Sequence, residues 1–230
     1  MFIGHYGVSI AAKRWSPRTS LGWLFLAVQM LDVLFALFVL AGIEKLRIVH
    51  GFTAFNPYDL YSMPYSHSLV GAAFWAALAG IGWWLATRAP SRERGIAAVL
   101  IAGAVFSHFV LDVPMHTPDM PLGPGSASPK IGLGLWNHRE LAIAAELVVL
   151  VAGGALYLRT TRARSRGAAV ATAAFAAALV ALTIATPFLP DPPSARTFAV
   201  EALAGYVVLA AIAALIDRGR LPRRTLRPGT

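Results

Sequence analysis

At 230 residues, 57% of them hydrophobic and only 13% charged, the chain exceeds the roughly 45–50% apolar content of soluble domains, which excludes a water-soluble enzyme and marks an integral membrane protein. The net charge of +9 would suggest nucleic acid in a soluble protein. In a membrane protein it reads instead as an orientation signal and a headgroup-facing surface, so the lipid bilayer is the expected partner and no nucleic-acid partner is expected. Cysteine is absent, which excludes disulfides, thiolate metal sites and a cysteine nucleophile.

The chain begins MFIGHYGVSIAAKRW, with no basic residue before the apolar stretch and no small-residue cleavage site, so a cleaved signal peptide is not expected. Phe2–Ala12 is too short to span, because about eleven helical residues cover roughly 16 Å. It either lies in the interface with His5 exposed or enters as a half-helix. In the second case His5 reaches mid-depth while Lys13 and Arg14 stay at the interface.

Six apolar runs follow, Leu21–Ile43, Ser68–Thr87, Gly95–Val113, Glu140–Leu158, Gly167–Thr186 and Phe198–Ile216. Each is close to the roughly 20 residues that cross a bilayer. Deprived of water, their backbones must bond internally, so they are helices. Fifteen Lys and Arg residues fall before the first run, in links 88–94 and 159–166, and after the last run, against five in the alternating links. That asymmetry places both termini in the cytoplasm. The expected fold is all-α: a polytopic transmembrane helix bundle of about six spans plus the short N-terminal interfacial or half-inserted helix. It forms one domain, with a metal-site core over 1–158, a two-helix scaffold over 159–216 and a disordered basic cytoplasmic tail over 217–230.

The first span carries Asp32, whose charge costs about 2.5–3.5 kcal/mol at mid-membrane and so demands a partner. Gln29, a backbone carbonyl or a second polar cluster could supply it. The outer links Glu44–His67 and Pro114–Arg139 are long and show no clear secondary structure, as expected of binding loops or lids. His50 and His138 have no spacing partner and read as solvated or interfacial. His67 opens the second span in YSHS, either as a cap or as a ligand at the depth of Asp112.

The third span ends in SHFVLDVPMHTPDMP. Residues four apart on a helix are rotated by only about 40°, so His108, Asp112 and His116 could share one stripe. Pro114 removes the amide that would bond Val110, so the helix should kink or end near Val113, leaving His116 the less certain member. Asp119 could cap a turn or cover the site, and Trp136 reads as an interface anchor. In the fourth span Glu146 could orient a ligand, ligate, or form a buried hydrogen bond. The last two spans are Ala-rich with Glu201 as their only ionisable residue, which suits a packing scaffold or an interface with another copy or another membrane protein.

No phosphate loop, H-E-x-x-H, G-x-S-x-G or G-x-G-x-x-G is present. A His-and-carboxylate set without sulfur suits Zn²⁺ first, with Mn²⁺ or Fe²⁺ as alternatives.

GHYG (Gly4–Gly7), Asp32 in MLD, YSHS (Tyr65–Ser68) and SHFVLD (Ser107–Asp112), followed by MHTPDMPL and GLGLWN, fall in order along the chain. Together they resemble the bacterial membrane-bound metal-dependent hydrolases of the YdjM-like inner-membrane type, over roughly residues 1–150. The resemblance implies a hydrolase that holds a divalent transition metal. The expected ligands are His5, Asp32, His67, His108 and Asp112, with His116 in support. Asp32 and Glu146 are the expected catalytic carboxylates, and the substrate an ester or phosphoester, with a lipid suiting an intramembrane site. The alternative is a non-catalytic accessory subunit in which the same His and Asp residues form a buried polar network between helices. A carrier is disfavoured, because no internal repeat is detectable.

Overall fold

The computed structural model describes residues 1–125 and 127–223, so the expected tail lies outside the described residues from Arg224 onward. Eight α-helices dominate the described residues: α1 (His5–Ala12), α2 (Leu21–Val28), α3 (Met30–Leu40), α4 (Leu69–Ala86), α5 (Ser91–Met115), α6 (Arg139–Thr160), α7 (Arg166–Ala185) and α8 (Ala195–Arg218). Helices α4 to α8 are each long and apolar enough to cross a membrane, and α2 with α3, bent by 56° between them, together pass the same test as a broken span or a re-entrant loop. The chain is the all-α bundle of about six spans, plus a short N-terminal helix, that its apolar runs predict.

The first departure is that bend. Leu21–Ile43 reads as one uninterrupted helix, yet Gln29 leaves helical geometry at φ −94°, ψ 8°. Neither Pro nor Gly stands at the break, so hydropathy carries no trace of it. The break has a tertiary compensation: α2 ends with the Val28 carbonyl facing α5, where it finds a donor.

Helix α1 is enclosed in the bundle rather than lying on its surface, with Ile3, His5, Tyr6 and Ser9 all fully buried. Small residues allow this. A Cβ placed on Gly153 of α6 would lie 2.0 Å from the Gly7 carbonyl oxygen, so α1 and α6 touch backbone to backbone. The Ser9 hydroxyl donates to the Leu24 carbonyl at 2.6 Å. Lys13, expected at the interface, is buried instead because it finds three acceptors: Asp217 at 2.8 Å and the carbonyls of Pro17 and Thr19.

Helix α5 continues to Met115, two residues beyond the end that Pro114 suggests. The last turn closes through the His116 amide onto the Asp112 carbonyl at 2.9 Å, and the loop supplies the remaining donors, Leu133 to Val113 and Gly134 to the His116 carbonyl. Only glycine fits that loop at residue 132, where φ is 156° and a Cβ would lie 2.0 Å from the Thr117 oxygen.

The long links also contain structure. Antiparallel pairs β1 (Lys45–Ile48) with β2 (Tyr58–Ser62), and β3 (Met120–Pro121) with β4 (Lys130–Ile131), fold over one end of the bundle. At the other end β5 (Thr161–Ala163) pairs with β6 (Arg220–Pro222), so the segment 217–223 assigned to a disordered tail is helix end and strand.

Candidate metal centre

Four segments bring the predicted ligands together. Helix α5 presents His108 and Asp112 on one stripe, and the extra turn through Pro114 adds His116, whose Nε2 lies 3.7 Å from Asp112 Oδ2. The α2–α3 bend turns Asp32 inward, the residue before the Ser68 cap of α4 supplies His67, and α1 supplies His5. All four imidazoles and Asp112 are buried, while the Asp32 side chain keeps 19% of its surface open.

The tautomers follow from what lies behind each ring. His108 Nδ1 is 2.7 Å from the Val28 carbonyl, which can only accept, so the proton is on Nδ1. His116 Nδ1 faces the Asp119 carboxylate at 2.9 Å, and Thr117 also donates to Asp119. Behind His67 stands a relay. Glu44 accepts from the Tyr65 and Ser66 amides at 2.7 and 2.9 Å and from the Ser66 hydroxyl. With its only proton committed to Glu44, Ser66 Oγ accepts from His67 Nδ1 at 2.8 Å. Three rings are therefore anchored by Nδ1 and aim Nε2 inward, the arrangement that partner groups impose on metal-binding histidines.

Two of those inward atoms meet Asp32, while His116, expected as a supporting ligand, belongs to neither group of residues close enough to hold one ion. His67 Nε2, His108 Nε2 and Asp32 Oδ1 form a triangle with sides of 3.3, 3.3 and 3.4 Å. Ligands at about 2.0–2.1 Å from a tetrahedral ion are about 3.3–3.4 Å apart, so the triangle has the size of one face of such a shell. A second triad shares His108: His5, His108 and Asp112 also lie close enough to hold one ion. In it Asp112 Oδ2 is 3.0 Å from His108 Nε2, and Oδ1 is 3.1 Å from His5 Nε2 and 2.6 Å from the Met1 nitrogen. The His5 ring stacks on His108 at 3.8 Å between centroids.

Glu146 faces the site from α6 without entering either triad. Its carboxylate accepts from the Phe2 and Gly4 amides at 3.1 and 3.0 Å, fixing the segment that leads into α1 and thereby holding His5 in place. Asp32 turns its second oxygen to the Tyr206 hydroxyl of α8 at 3.1 Å, a partner that neither Gln29 nor a backbone carbonyl anticipated. Trp136 is buried against His116, 4.1 Å between ring centroids, rather than anchoring an interface. His50 stays exposed and pairs with Asp191 at 2.8 Å, and His138 lies outside both triads.

Glu44 and Tyr206 were not singled out by the sequence. Glu44 had one available signal, a carboxylate at the end of an apolar run; Tyr206 had none.

A cavity of about 540 Å³ opens onto this centre. Asp32, His67, Asp112 and His116 form its polar end, while Phe35, Phe55, Met63, Leu182, Phe198 and Leu209 belong to its largely apolar walls. Tyr58 and Glu201 also border it. Burial pushes the Tyr58 hydroxyl up to about 12, aided by the Asp191 and Glu201 carboxylates, so at neutral pH it is a hydrogen-bond donor. No family model, curated protein or solved structure matches the chain.

Proposed function

We propose that this chain is a metal-dependent hydrolase embedded in a bacterial inner membrane, with both termini cytoplasmic, acting on an ester or phosphoester of a lipid-like substrate. One observation carries the reading. His67 and His108 bring their Nε2 atoms within 3.3 Å of each other, with the Asp32 carboxylate closing the triangle. A shared proton or a metal ion would hold such atoms together, and the spacing suits the metal. Three protein ligands with a fourth position toward a cavity match the catalytic zinc pattern, with Mn²⁺ or Fe²⁺ as alternatives. The resemblance to YdjM-like hydrolases points the same way.

A metal bound there would supply a water ionised near neutral pH. Asp112, beside His108 and outside the triangle, is placed to take that water's proton. Hydroxide would add to the carbonyl carbon or phosphorus, the ester bond to the leaving oxygen would break, and the proton on Asp112 would pass to that oxygen. Glu146, its oxygens taken by two amides, acts by holding α1. The 540 Å³ cavity would accept the substrate's apolar chain.

The test is elemental analysis of detergent-purified wild type beside His108→Ala. About one equivalent of transition metal or more is expected in the wild type and none in the variant. Metal-free wild type would sink the proposal. A protein that binds metal, cleaves neither lipid esters nor phosphoesters and co-purifies stoichiometrically with other chains would instead be the accessory subunit.

A further inference from the structure

A second cavity, about 440 Å³, lies between α6 and α7 toward the β5–β6 pair and shares no lining residue with the first. Leu150, Leu158, Phe175, Leu179 and Val180 line it, and its polar end is Tyr157, Thr172 and Arg220. Val151, Ala173 and Ala176 border it while remaining exposed, so the groove is open sideways to the surrounding lipid.

Arg220 is the unusual member. It is 9% exposed, and its guanidinium donates to Thr161 Oγ1 at 2.9 Å, Thr172 Oγ1 at 3.3 Å and the Thr161 carbonyl at 3.4 Å, above the Tyr157 ring at 5.0 Å. All of these partners are neutral. Asp217, three residues earlier, is committed to Lys13, the Leu21 amide and the Tyr157 hydroxyl. No ion pair among the described residues includes Arg220. A buried guanidinium without an anion is costly, and its planar fork suits two phosphate oxygens. The exposed Arg162, Arg164, Arg218 and Arg223 surround this end of the bundle and would concentrate anionic headgroups near it.

We infer that the α6–α7 groove is a binding site for an anionic phospholipid, its phosphodiester on Arg220 and one acyl chain along the groove. The site is independent of the metal centre.

Native mass spectrometry of delipidated protein titrated with dioleoyl phosphatidylglycerol or dioleoyl phosphatidylcholine tests this. The wild type should bind the anionic lipid at least tenfold more tightly, and Arg220→Gln should remove that preference. Arg220→Lys, which keeps charge without the fork, should retain part of it. Ala176→Trp, at an exposed position, should weaken lipid binding with Arg220 intact and decides the matter if Arg220→Gln does not fold. Equal wild-type affinity for the two lipids would overturn the assignment. So would an unchanged preference in Arg220→Gln, an Arg162→Gln rim variant that loses as much, or inorganic phosphate competing as well as the lipid.

Discussion

Buried polar groups meet α1 at both of its ends, and the two ends are built on different rules. Just past its C-terminus, Lys13 gives hydrogen bonds to Pro17, Thr19 and Asp217, and Asp217 accepts in addition from the Leu21 amide and the Tyr157 hydroxyl. Every charge there has its counterpart, so the cluster is complete as it stands. At the N-terminal end, the rings His108, His67 and His116 send Nδ1 protons outward, to Val28, Ser66 and Asp119, and turn Nε2 atoms inward beside Asp32 and Asp112, the latter 2.6 Å from the Met1 nitrogen. A polar network that holds helices together describes the Lys13 end, and the metal proposed above would set the His end apart from it.

The comparison breaks most severely if α1 is dislodged. Gly153→Ala puts a methyl group 2.0 Å from the Gly7 carbonyl oxygen, against backbone that cannot rotate away. Such overpacking costs about 1–3 kcal/mol and occasionally more, and here it should displace α1 and both clusters together. Since the chain has no cysteine, a Ser9→Cys probe reports this directly. A maleimide should fail to label it in the wild-type background and label it readily with Gly153→Ala; an unlabelled double variant would show that α1 is not held by this contact.

The next perturbation separates the two ends. Lys13→Met leaves Asp217 without its cation, and removing one partner of a buried pair costs about 3–5 kcal/mol. The unfolding midpoint in denaturant should fall sharply while metal content per folded protein stays at the wild-type value. A parallel loss of metal would mean that the ends are one network and the contrast between them is false.

Much of this was legible in the sequence, and the illegible part has a common cause. Hydropathy located the spans because bilayer thickness sets their length, and the i, i+4 spacing placed His108 beside Asp112 because helical periodicity is local. The resemblance gathered His5, Asp32 and His67 into the same site. The bend at Gln29 was invisible because the compensating partner of Val28 is 80 residues away. Pro114 misled for the same reason: local chemistry ends the helix, while amides from Leu133 and Gly134 sustain it. Glu44, Tyr206 and the duty of Glu146 toward α1 depend on contacts that no spacing rule reports.

Glu44 gives the third prediction. In Glu44→Gln the amide oxygen can still accept from the Tyr65 and Ser66 amides, but the amide nitrogen now donates to Ser66 Oγ. The Ser66 hydroxyl must then turn its proton toward His67 Nδ1, which moves the ring proton to Nε2 and abolishes the inward lone pair. Loss of such a supporting group lowers metal affinity by about 10–100-fold. Chelator competition should show this with little change in unfolding, and unchanged affinity would remove the relay from the account of the site.

The smallest effect, and the finest test of the contrast, is Tyr206→Phe. It deletes one hydrogen bond to Asp32 Oδ2 and leaves Oδ1 facing His67 and His108. A bond of this kind contributes about 0.5–1.5 kcal/mol, so metal should remain stoichiometric with its affinity lowered about two- to tenfold. Because the phenol belongs to the Ala-rich α8, even that loss assigns a working residue to a helix whose composition suggests only packing. If the His end is completed by a cation, the deficit must appear in chelator competition and vanish from the stability of metal-free protein. A deficit confined to stability would place Tyr206 and Asp32 with Lys13 and Asp217, as groups that hold helices together and bind nothing.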